Sequence, residues 1–271
     1  MDMNIAVRNE IYEHAKQWVY EAGELIRQKI NDPMTIETKA HAKDLVTTVD
    51  KETEYFLAEN IRKTYPDHLL FSEEGYGDDV TSLDGTVWIV DPIDGTMNFV
   101  QQRRNFAISI GIFHQGIGEI GFVYDVMADV LYSAKRNEGA YKNDEKLSPL
   151  KQDLNLEEAV LGLNHKWLCE NSVIDEKVVQ QLVEKARGAR AYGSAALKLA
   201  YVSEGIVDGY LTMNLAPWDI AGGMILANEV GAVTTNLSGG EVNMLKNDCS
   251  LTCHPAIQNE IIQDFLVKGL K

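Results

Sequence analysis

The chain has 271 residues, of which 45% are hydrophobic and 24% are charged, a composition typical of a folded protein that excludes extensive disorder. Its 25 Lys and Arg against 41 Asp and Glu give a net charge of −16, which repels nucleic acid and anionic lipid, so neither is an expected partner. The N-terminal residues carry no apolar core with basic flanks, and no segment approaches the roughly 20 apolar residues that span a bilayer, which predicts a cytoplasmic protein.

The N-terminal part of the sequence predicts two helices followed by two strands. A first helix is predicted to end near residues 31–33, because apolar residues recur at every third or fourth position before that point. These residues are Ile11, Ala15, Trp18, Ala22, Ile26 and Ile30. A second helix should contain Asp50 in its first turn and stop before Pro66. The β-branched runs HLLFS and TVWIVD predict buried strands that end in carboxylates.

The remainder predicts antiparallel hairpins and then alternating strands and helices. The runs FAISIGIF, GEIGFVYDV and DVLYSAK have the pattern of hairpin strands. Beyond Asn155 the pattern alternates, and in one predicted helix Leu197, Tyr201 and Ile206 should face the core. The fold class is therefore mixed α+β and α/β. We expect an N-terminal α+β subdomain over 1–150 and a C-terminal α/β subdomain over 151–271, packed face to face.

Three cysteines, Cys169, Cys249 and Cys253, are odd in number and form no CxxC pair, which favours reduced thiols over disulfides. Cys249, Cys253 and His254 are close enough in sequence to suggest a metal site. The alternative is that they are ordinary residues of a buried strand. That alternative is preferred, because structural zinc needs four ligands at recognised spacings.

The segment WIVDPIDGTMNF carries the strongest chemical signal. A buried strand delivers Asp91, Pro92 is predicted to turn the chain, and Asp94 follows on the same turn. Two carboxylates held so close repel each other unless a cation lies between them. Mg²⁺ suits this arrangement, and the carbonyl of Ile93 offers a further oxygen ligand. The alternative is ordinary loop chemistry, in which the two acids cap a turn.

Further acids occupy similar places and favour the metal-site interpretation. Asp50 lies near a helix start, Glu73 and Glu74 follow a strand, and Asp219 follows Pro217 at a predicted helix entry. A carboxylate in the first turn of a helix points toward whatever lies beyond the helix N-terminus. One site could therefore gather all of these acids.

These motifs resemble the inositol monophosphatase family, within the lithium-sensitive, metal-dependent phosphatases. The segments are FSEEG, WIVDPIDGTMNF and PWDIAGGMILANEVGA, and LVTTVD and YGSAALKLAYVSEG are also similar. They follow the family's order and extend from residue 44 to residue 231. The resemblance implies a layered αβαβα sandwich, Mg²⁺-dependent hydrolysis of a small phosphate monoester, a site between the two halves, and a homodimer.

The resemblance also implies how the metal ions are held. One ion would bind Glu73, Asp91 and the carbonyl of Ile93, and a second would bind Asp91, Asp94 and Asp219. A weaker third position would lie near Glu73, so the expected cofactor is Mg²⁺, with two or three ions per site. Two such ions can clamp the attacking and leaving oxygens of a displacement at phosphorus.

In the implied mechanism, a metal-activated water attacks phosphorus without a covalent intermediate. Thr96 and Glu73 would deprotonate and aim this water, and Asp50 would support Thr96. The phosphate would rest on the metal ions and on the amides of Gly95 and Thr96, with Asp94 beside the substrate.

Other residues are assigned supporting roles by the same resemblance. Glu74 would lie behind the metal ligands, and the segment around Lys43 and Asp44 would form a mobile loop over the third position. The organic part of the substrate would contact Gly193, Ser194 and Ala195.

One departure from the family pattern bears on the substrate. Animal members place a glutamate against an inositol hydroxyl where this sequence has Thr212. Losing a charged hydrogen bond costs about 1.5 to 3 kcal/mol, which would broaden specificity. Inositol monophosphate therefore stands beside fructose 1,6-bisphosphate and the 2′-phosphate of NADP as a candidate. Arg190 could pair with a second phosphate or could be an ordinary surface arginine.

Two rival classes share part of this pattern. The haloacid-dehalogenase phosphatases need two acids separated by one residue after an N-terminal strand, whereas Asp91 and Asp94 are three apart and deep in the chain. A non-catalytic, partner-binding protein of the same fold is the second rival. The complete set of metal ligands argues against it.

Overall fold

The computed structural model describes residues 3–33, 35–38, 45–151 and 153–271. The predicted mobile loop around Lys43 and Asp44 lies outside these described residues. No helix within them is both long and apolar enough to cross a bilayer.

The helices begin where the sequence supplies caps. Asn4 caps the first helix by accepting backbone hydrogen bonds, and Thr47 and Asp50 form a reciprocal capping box at the start of the second. The second helix ends before Pro66, as predicted. The helices are α1 (Ile5–Lys29), α2 (Thr48–Thr64), α3 (Thr96–Gln102), α4 (Glu176–Lys185), α5 (Ala195–Glu204), α6 (Pro217–Glu229), α7 (Pro255–Glu260) and α8 (Val267–Gly269). Short 3-10 turns span Leu156–Glu158 and His165–Leu168, and a π-helical segment spans Ile261–Leu266.

A sheet of seven strands forms the centre of the N-terminal half. Its strand order follows the sequence, with the first pair parallel and the remaining pairs antiparallel. This arrangement confirms the predicted buried strands and hairpins. The strands are β3 (Leu69–Ser72), β4 (Thr86–Asp94), β5 (Ala107–His114), β6 (Ile117–Asp125), β7 (Val130–Lys135), β8 (Gly139–Lys142) and β9 (Glu145–Lys146). The preceding strands β1 (Ile36–Thr38) and β2 (Leu45–Thr47) pair with each other.

A second, five-stranded sheet forms the centre of the C-terminal half, in the order β11-β10-β12-β14-β13. Parallel pairs join β10 to both β11 and β12, which fits the predicted alternation of strands and helices. The strands are β10 (Val160–Gly162), β11 (Gly188–Arg190), β12 (Gly209–Leu215), β13 (Val233–Thr235) and β14 (Asp248–Cys253).

The sheets and helices stack in five layers, which confirms the predicted layered αβαβα sandwich. Helices α1 and α2 cover one face of the seven-stranded sheet, and α5 and α6 lie between the two sheets. Helices α4 and α7 with the π-helical segment cover the outer face of the five-stranded sheet. Because α5 and α6 pack on both sheets, one apolar core joins the two halves. The division into subdomains at residue 150 stays a prediction.

The core prediction for α5 is wrong at one residue. Leu197 is fully buried, but Ile206 is 48% exposed. Helix α5 ends at Glu204, and Gly205 adopts a left-handed conformation that turns the chain away from the helical path.

The Cys249, Cys253 and His254 group belongs to strand β14 and the following helix cap. Both ring nitrogens of His254 are occupied: Nδ1 accepts from the amide of Ala256 at 3.1 Å, and Nε2 donates to the carbonyl of Lys151. No lone pair of the ring remains for a metal ion. The interpretation as ordinary strand residues is therefore confirmed.

Candidate active site

Three carboxylates converge at the carboxyl end of β4. Asp91 and Asp94 come from that strand, and Asp219 comes from the first turn of α6, 125 residues after Asp94. One oxygen of each carboxylate lies within 4.8 Å of the others. Among the described residues, this is the one group of three or more such side chains close enough to share a metal ion.

A β-bulge, rather than the predicted turn, separates the first two acids. Strand β4 continues through Pro92, but its register against β5 shifts between Asp91 and Asp94. Asp91 pairs with Ser109 and Asp94 pairs with Ala107, so three steps on one strand oppose two on the other. The extra residue lets both acids point to one side, as bulges near active sites commonly do. Proline is tolerated at such a bulge because the ladder there needs no amide donor.

The start of α5 holds Asp94 in place. The Asp94 carboxylate accepts a hydrogen bond from the amide of Ala196 at 2.8 Å and another from the hydroxyl of Ser194, which caps α5. Ser194 is fully buried. Its side chain therefore lies behind Asp94 and is not among the residues that line the adjoining cavity. The predicted contact of Ser194 with the substrate stays a prediction.

The entry of α6 holds Asp219 in a similar way. Pro217 occupies the first helical position, and the Asp219 carboxylate accepts from the amide of Ala216 at 2.8 Å. This geometry matches the predicted helix entry. A carboxylate that binds its own helix start is restricted to a narrow range of orientations.

The electrostatics of the three acids fit a bound cation. Burial raises the pKa of Asp91 most, and neighbouring negative charges raise it further. Those charges belong to Glu73, Asp94 and Asp219. Burial also raises the pKa of Asp94, and the hydrogen bonds that this carboxylate accepts oppose the shift. Buried carboxylates that repel one another are stabilised by a divalent cation, and an all-oxygen donor set suits Mg²⁺.

Glu73 adjoins the cluster from the loop after β3. Its carboxyl group interacts with that of Asp91 by charge and by a hydrogen bond, both of which contribute to the raised pKa of Asp91. The predicted proximity of Glu73 to the acids of β4 therefore matches the structure. Glu74 contributes its backbone amide to a different contact.

Glu54, which the sequence analysis missed, fixes the Glu73 loop. This buried carboxylate accepts from the amide of Glu74 at 2.6 Å, the amide of Tyr76 at 2.9 Å and the hydroxyl of Ser72 at 2.7 Å. Burial raises the pKa of Glu54, while these hydrogen bonds oppose the shift. The sequence signal for this role was an acid on the same helix face as the buried apolar residues of α2.

Thr96 lies between the metal cluster and Asp50. Its hydroxyl is 3.3 Å from Oδ1 of Asp50 and 3.2 Å from the carbonyl oxygen of Ile93. The other oxygen of Asp50 accepts from the amide of Thr47 at 2.9 Å. Burial raises the pKa of Asp50 to about 6, although the hydrogen bonds from Thr47 oppose the shift.

A cavity of about 290 Å³ opens beside the carboxylates. Its lining includes five of the residues singled out in the sequence, which are Asp94, Gly193, Ala195, Thr212 and Asp219. Arg190 is not among the lining residues. Its guanidinium is exposed and donates to the carbonyl of Ala189 at 2.9 Å, which favours its interpretation as a surface arginine.

Lys198 and Tyr210 also line this cavity, and the sequence analysis missed both. Lys198 is 3% exposed, and its ammonium lies 4.3 Å from the centroid of the Tyr210 ring. Burial lowers the pKa of Lys198 to about 8, although the charges of Asp94 and Asp219 oppose the shift. A single lysine within the otherwise apolar segment AALKLAYV was the available signal.

Comparison with known proteins finds matches to one family over nearly the whole chain. The model of the inositol monophosphatase family matches residues 7–267. The inositol-1-monophosphatase of Bacillus subtilis (strain 168) is 52% identical over 257 residues, covering 95% of this chain and 97% of that protein.

Solved structures agree with the sequence matches. SaIMPase-II with bound inositol monophosphate superposes with a TM-score of 0.86 at 41% identity, covering 96% of this chain and 94% of that one. An IMPase/NADP phosphatase with bound Mg²⁺ and phosphate gives a TM-score of 0.86 at 30% identity, with 95% of each chain covered.

These matches confirm the predicted resemblance, the predicted fold and the predicted class of enzyme, a phosphoric monoester hydrolase. The chain belongs to the inositol monophosphatase family.

Proposed function

We propose that this protein hydrolyses small phosphate monoesters with Mg²⁺ at the cluster of Asp91, Asp94 and Asp219, and that inositol monophosphate is its first candidate substrate. The observation that carries the proposal is the convergence of these three carboxylates within 4.8 Å at the edge of a cavity. The names of the relatives, one an inositol-1-monophosphatase and one a structure with Mg²⁺ and phosphate, support it.

The proposed metal ligands follow the sequence prediction. Glu73, Asp91 and the carbonyl of Ile93 would hold one Mg²⁺, and Asp91, Asp94 and Asp219 would hold another. A third, weaker position near Glu73 stays part of the proposal. Mg²⁺ bound here would neutralise charge on the phosphate and lower the pKa of water.

Thr96 and Asp50 would orient and deprotonate the attacking water together with Glu73. The Thr96 hydroxyl directs its proton toward Asp50 and the Ile93 carbonyl, at 3.3 Å and 3.2 Å. Its oxygen lone pairs are therefore left to accept a hydrogen bond from water. Asp50, with a pKa near 6, is mostly ionised at neutral pH and can accept a proton relayed through Thr96.

The alcohol part of the substrate would lie in the adjoining cavity. Gly193 and Ala195, which have no side chain or a small one, line part of this cavity. Thr212 also lines it, at the position where animal family members have a glutamate. Complete loss of the charged hydrogen bond that a carboxylate would make to a polyol costs about 1.5 to 3 kcal/mol. Fructose 1,6-bisphosphate and NADP therefore remain alternative substrates.

The proposal is tested by phosphate release from inositol 1-phosphate, fructose 1,6-bisphosphate and NADP, with Mg²⁺, with Mg²⁺ and LiCl, and with EDTA. We expect release with Mg²⁺ and none with EDTA. Asp94→Asn should lower turnover by about 100-fold or more, the scale of a lost electrostatic contact in a transition state. Asp84→Asn, in an exposed loop before β4, serves as the matched control and should retain activity.

Two results would count against the proposal. Absence of release from all three esters with Mg²⁺, or full activity of Asp94→Asn at saturating Mg²⁺, would contradict it. The homodimer, which rests on the resemblance, and the cytoplasmic location predicted from the sequence are also proposals. Sedimentation of the purified protein would test the dimer.

A further inference from the structure

Helix α5 places one positive charge in the substrate cavity. Lys198 is the only lysine in the helix sequence AALKLAYVSE, and its side chain is 3% exposed. It lines the cavity together with Asp94 and Asp219. A side chain that brings an ammonium group into a largely desolvated cavity loses solvation free energy, so the position calls for an explanation.

Tyr210 fixes the position of this ammonium. The Lys198 nitrogen lies 4.3 Å from the centre of the Tyr210 ring, a distance typical of a cation–π contact. The phenol of Tyr210 is itself buried and hydrogen-bonded to the side chain of Thr212. The ring face engages only the N–H groups that point toward it, so the remaining donors of lysine stay available to a ligand in the cavity.

The negative charges of Asp94 and Asp219 would not offset the positive charge of Lys198 once cations are bound. Asp94 and Asp219 attract the ammonium through space. Under the proposed function these two carboxylates are neutralised by Mg²⁺, and the local field then favours an anion. The cavity wall formed by Lys198, Tyr210 and Thr212 would then present a fixed positive charge to the alcohol part of the substrate.

We propose that Lys198 is a specificity-determining residue that binds an anionic group on the alcohol part of the substrate, so that the site favours phosphate monoesters with a second phosphate. This inference rests on the proposed phosphatase function and narrows its substrate class. A charge-assisted hydrogen bond from a desolvated ammonium to a phosphate oxygen is strong enough to determine such a preference.

The test compares kcat and KM for fructose 1,6-bisphosphate and for inositol 1-phosphate at saturating Mg²⁺. Lys198→Gln should lower kcat/KM for the bisphosphate by about tenfold or more, mainly through KM, as expected for a lost charged hydrogen bond. The value for inositol 1-phosphate should change by less than about threefold. Lys198→Met, which keeps the long apolar stem, should give the same pattern and covers the case in which the glutamine variant fails to fold.

Lys166→Gln is the matched comparison. Lys166 lines the same cavity but is exposed, so its charge is screened by solvent. We expect its removal to change the ratio of the two kcat/KM values by less than about twofold. A ratio shifted as strongly by Lys166→Gln as by Lys198→Gln would overturn the inference.

The remaining outcomes separate the inference from the proposed function. An equal loss for both substrates in the Lys198 variants would indicate a structural counter-ion and would overturn the inference. A wild-type protein that hydrolyses inositol 1-phosphate but not the bisphosphate would support the proposed function and overturn the inference. A wild-type protein that hydrolyses neither with Mg²⁺ would overturn both.

Discussion

The hydroxyl of Thr96 donates a hydrogen bond of 3.3 Å to the carboxylate of Asp50, which lies 46 residues earlier in the chain. The second oxygen of Asp50 is held by the amide of Thr47 at 2.9 Å, as part of the capping box of α2. A local helix cap therefore fixes the acid that orients Thr96. The hydroxyl in turn lies at the start of α3, directly after the carboxylates of β4.

Thr96→Ala should lower kcat by about 100-fold while KM changes by less than about threefold, because the lost hydroxyl acts on the attacking water more than on the bound ester. Thr96→Ser keeps the hydroxyl and should retain most of the activity. Steady-state kinetics at saturating Mg²⁺ on the best substrate of the panel measure both. Equal inactivity of the serine and alanine variants would assign the effect to lost packing of the methyl group and contradict the proposed role.

Glu54→Gln should weaken the metal site without touching a metal ligand. Glu54 now accepts hydrogen bonds from N–H and O–H groups of this loop. The NH₂ group of a glutamine would face one of these donors and could not accept its hydrogen bond, so the loop that carries Glu73 should shift. Positioning residues of this kind typically change metal affinity by about 10- to 100-fold. We expect the Mg²⁺ concentration for half-maximal activity to rise by about tenfold, with kcat at saturating Mg²⁺ reduced much less.

Glu59→Gln is the matched control for this experiment, because Glu59 lies on the same helix but is exposed. It should leave the Mg²⁺ dependence unchanged. An unchanged Mg²⁺ dependence in Glu54→Gln, with a folded protein by circular dichroism, would show that the Glu54 contacts do not position Glu73.

The metal-free protein should gain stability as pH falls from 7.5 to 5.5. Burial raises the pKa of Asp50 to about 6 and raises the pKa values of Asp91 and Asp94. Acids with raised pKa values bind more protons in the folded state than in the unfolded state. Their contribution to stability is therefore lost as pH rises through the folded pKa and is regained as pH falls. Thermal melts in EDTA should show Tm higher by about 2 °C or more at pH 5.5.

Two further measurements check the origin of this pH dependence. Asp50→Asn removes one of the buried titrating acids and should flatten the dependence of Tm on pH. Mg²⁺ requires ionised ligands, so it should raise Tm more at pH 7.5 than at pH 5.5. A metal-free Tm that falls between pH 7.5 and pH 5.5 would contradict the assigned directions of the pKa shifts.

The sequence predicted most helices and strands because its apolar periodicities are strong and local, whereas the layered arrangement was implied by the family resemblance. The face of α1 that carries Ile11, Ala15 and Trp18 is buried as its spacing indicated. The clustering of Asp91, Asp94 and Asp219 was also expected. It depended on acids at the ends of strands and in the first turn of a helix, which are positions that local sequence reveals.

The features that were missed or misread depend on contacts between distant segments. The bulge at Pro92 is defined by its register against β5, which local sequence does not specify. Glu54 and Lys198 are charged residues within helices, where solvent exposure is the ordinary expectation. Only the packing of α2 against the loop after β3, and of α5 against β12, buries them. The contact between the side chains of Ser194 and Asp94 was also missed, because it joins residues 100 apart in sequence.

Gly193→Ala should damage both stability and activity, because two constraints meet at this residue. Its φ of +83° is one that side chains rarely adopt, and an added Cβ would lie 2.5 Å from the Asn98 side-chain nitrogen. That nitrogen donates to the carbonyls of Asn105 and Tyr192 at 2.8 Å and 2.7 Å, so it cannot move without breaking buried hydrogen bonds. Gly205→Ala is the matched control, with a φ of +77° and nothing within 4 Å of the added Cβ.

The difference in Tm between the two variants measures the cost of the close contact between the added Cβ at Gly193 and the Asn98 side chain. Backbone strain from a left-handed residue costs about 1 kcal/mol or somewhat more, and both variants carry it. We therefore expect Gly205→Ala to lower Tm by a few degrees with full activity, and Gly193→Ala to lower Tm clearly further. Turnover of Gly193→Ala should also fall, because Gly193 adjoins Ser194, whose hydroxyl holds Asp94. Equal Tm values for the two variants would mean that the contact with Asn98 relaxes at no cost, and that Gly193 is required only for its backbone conformation.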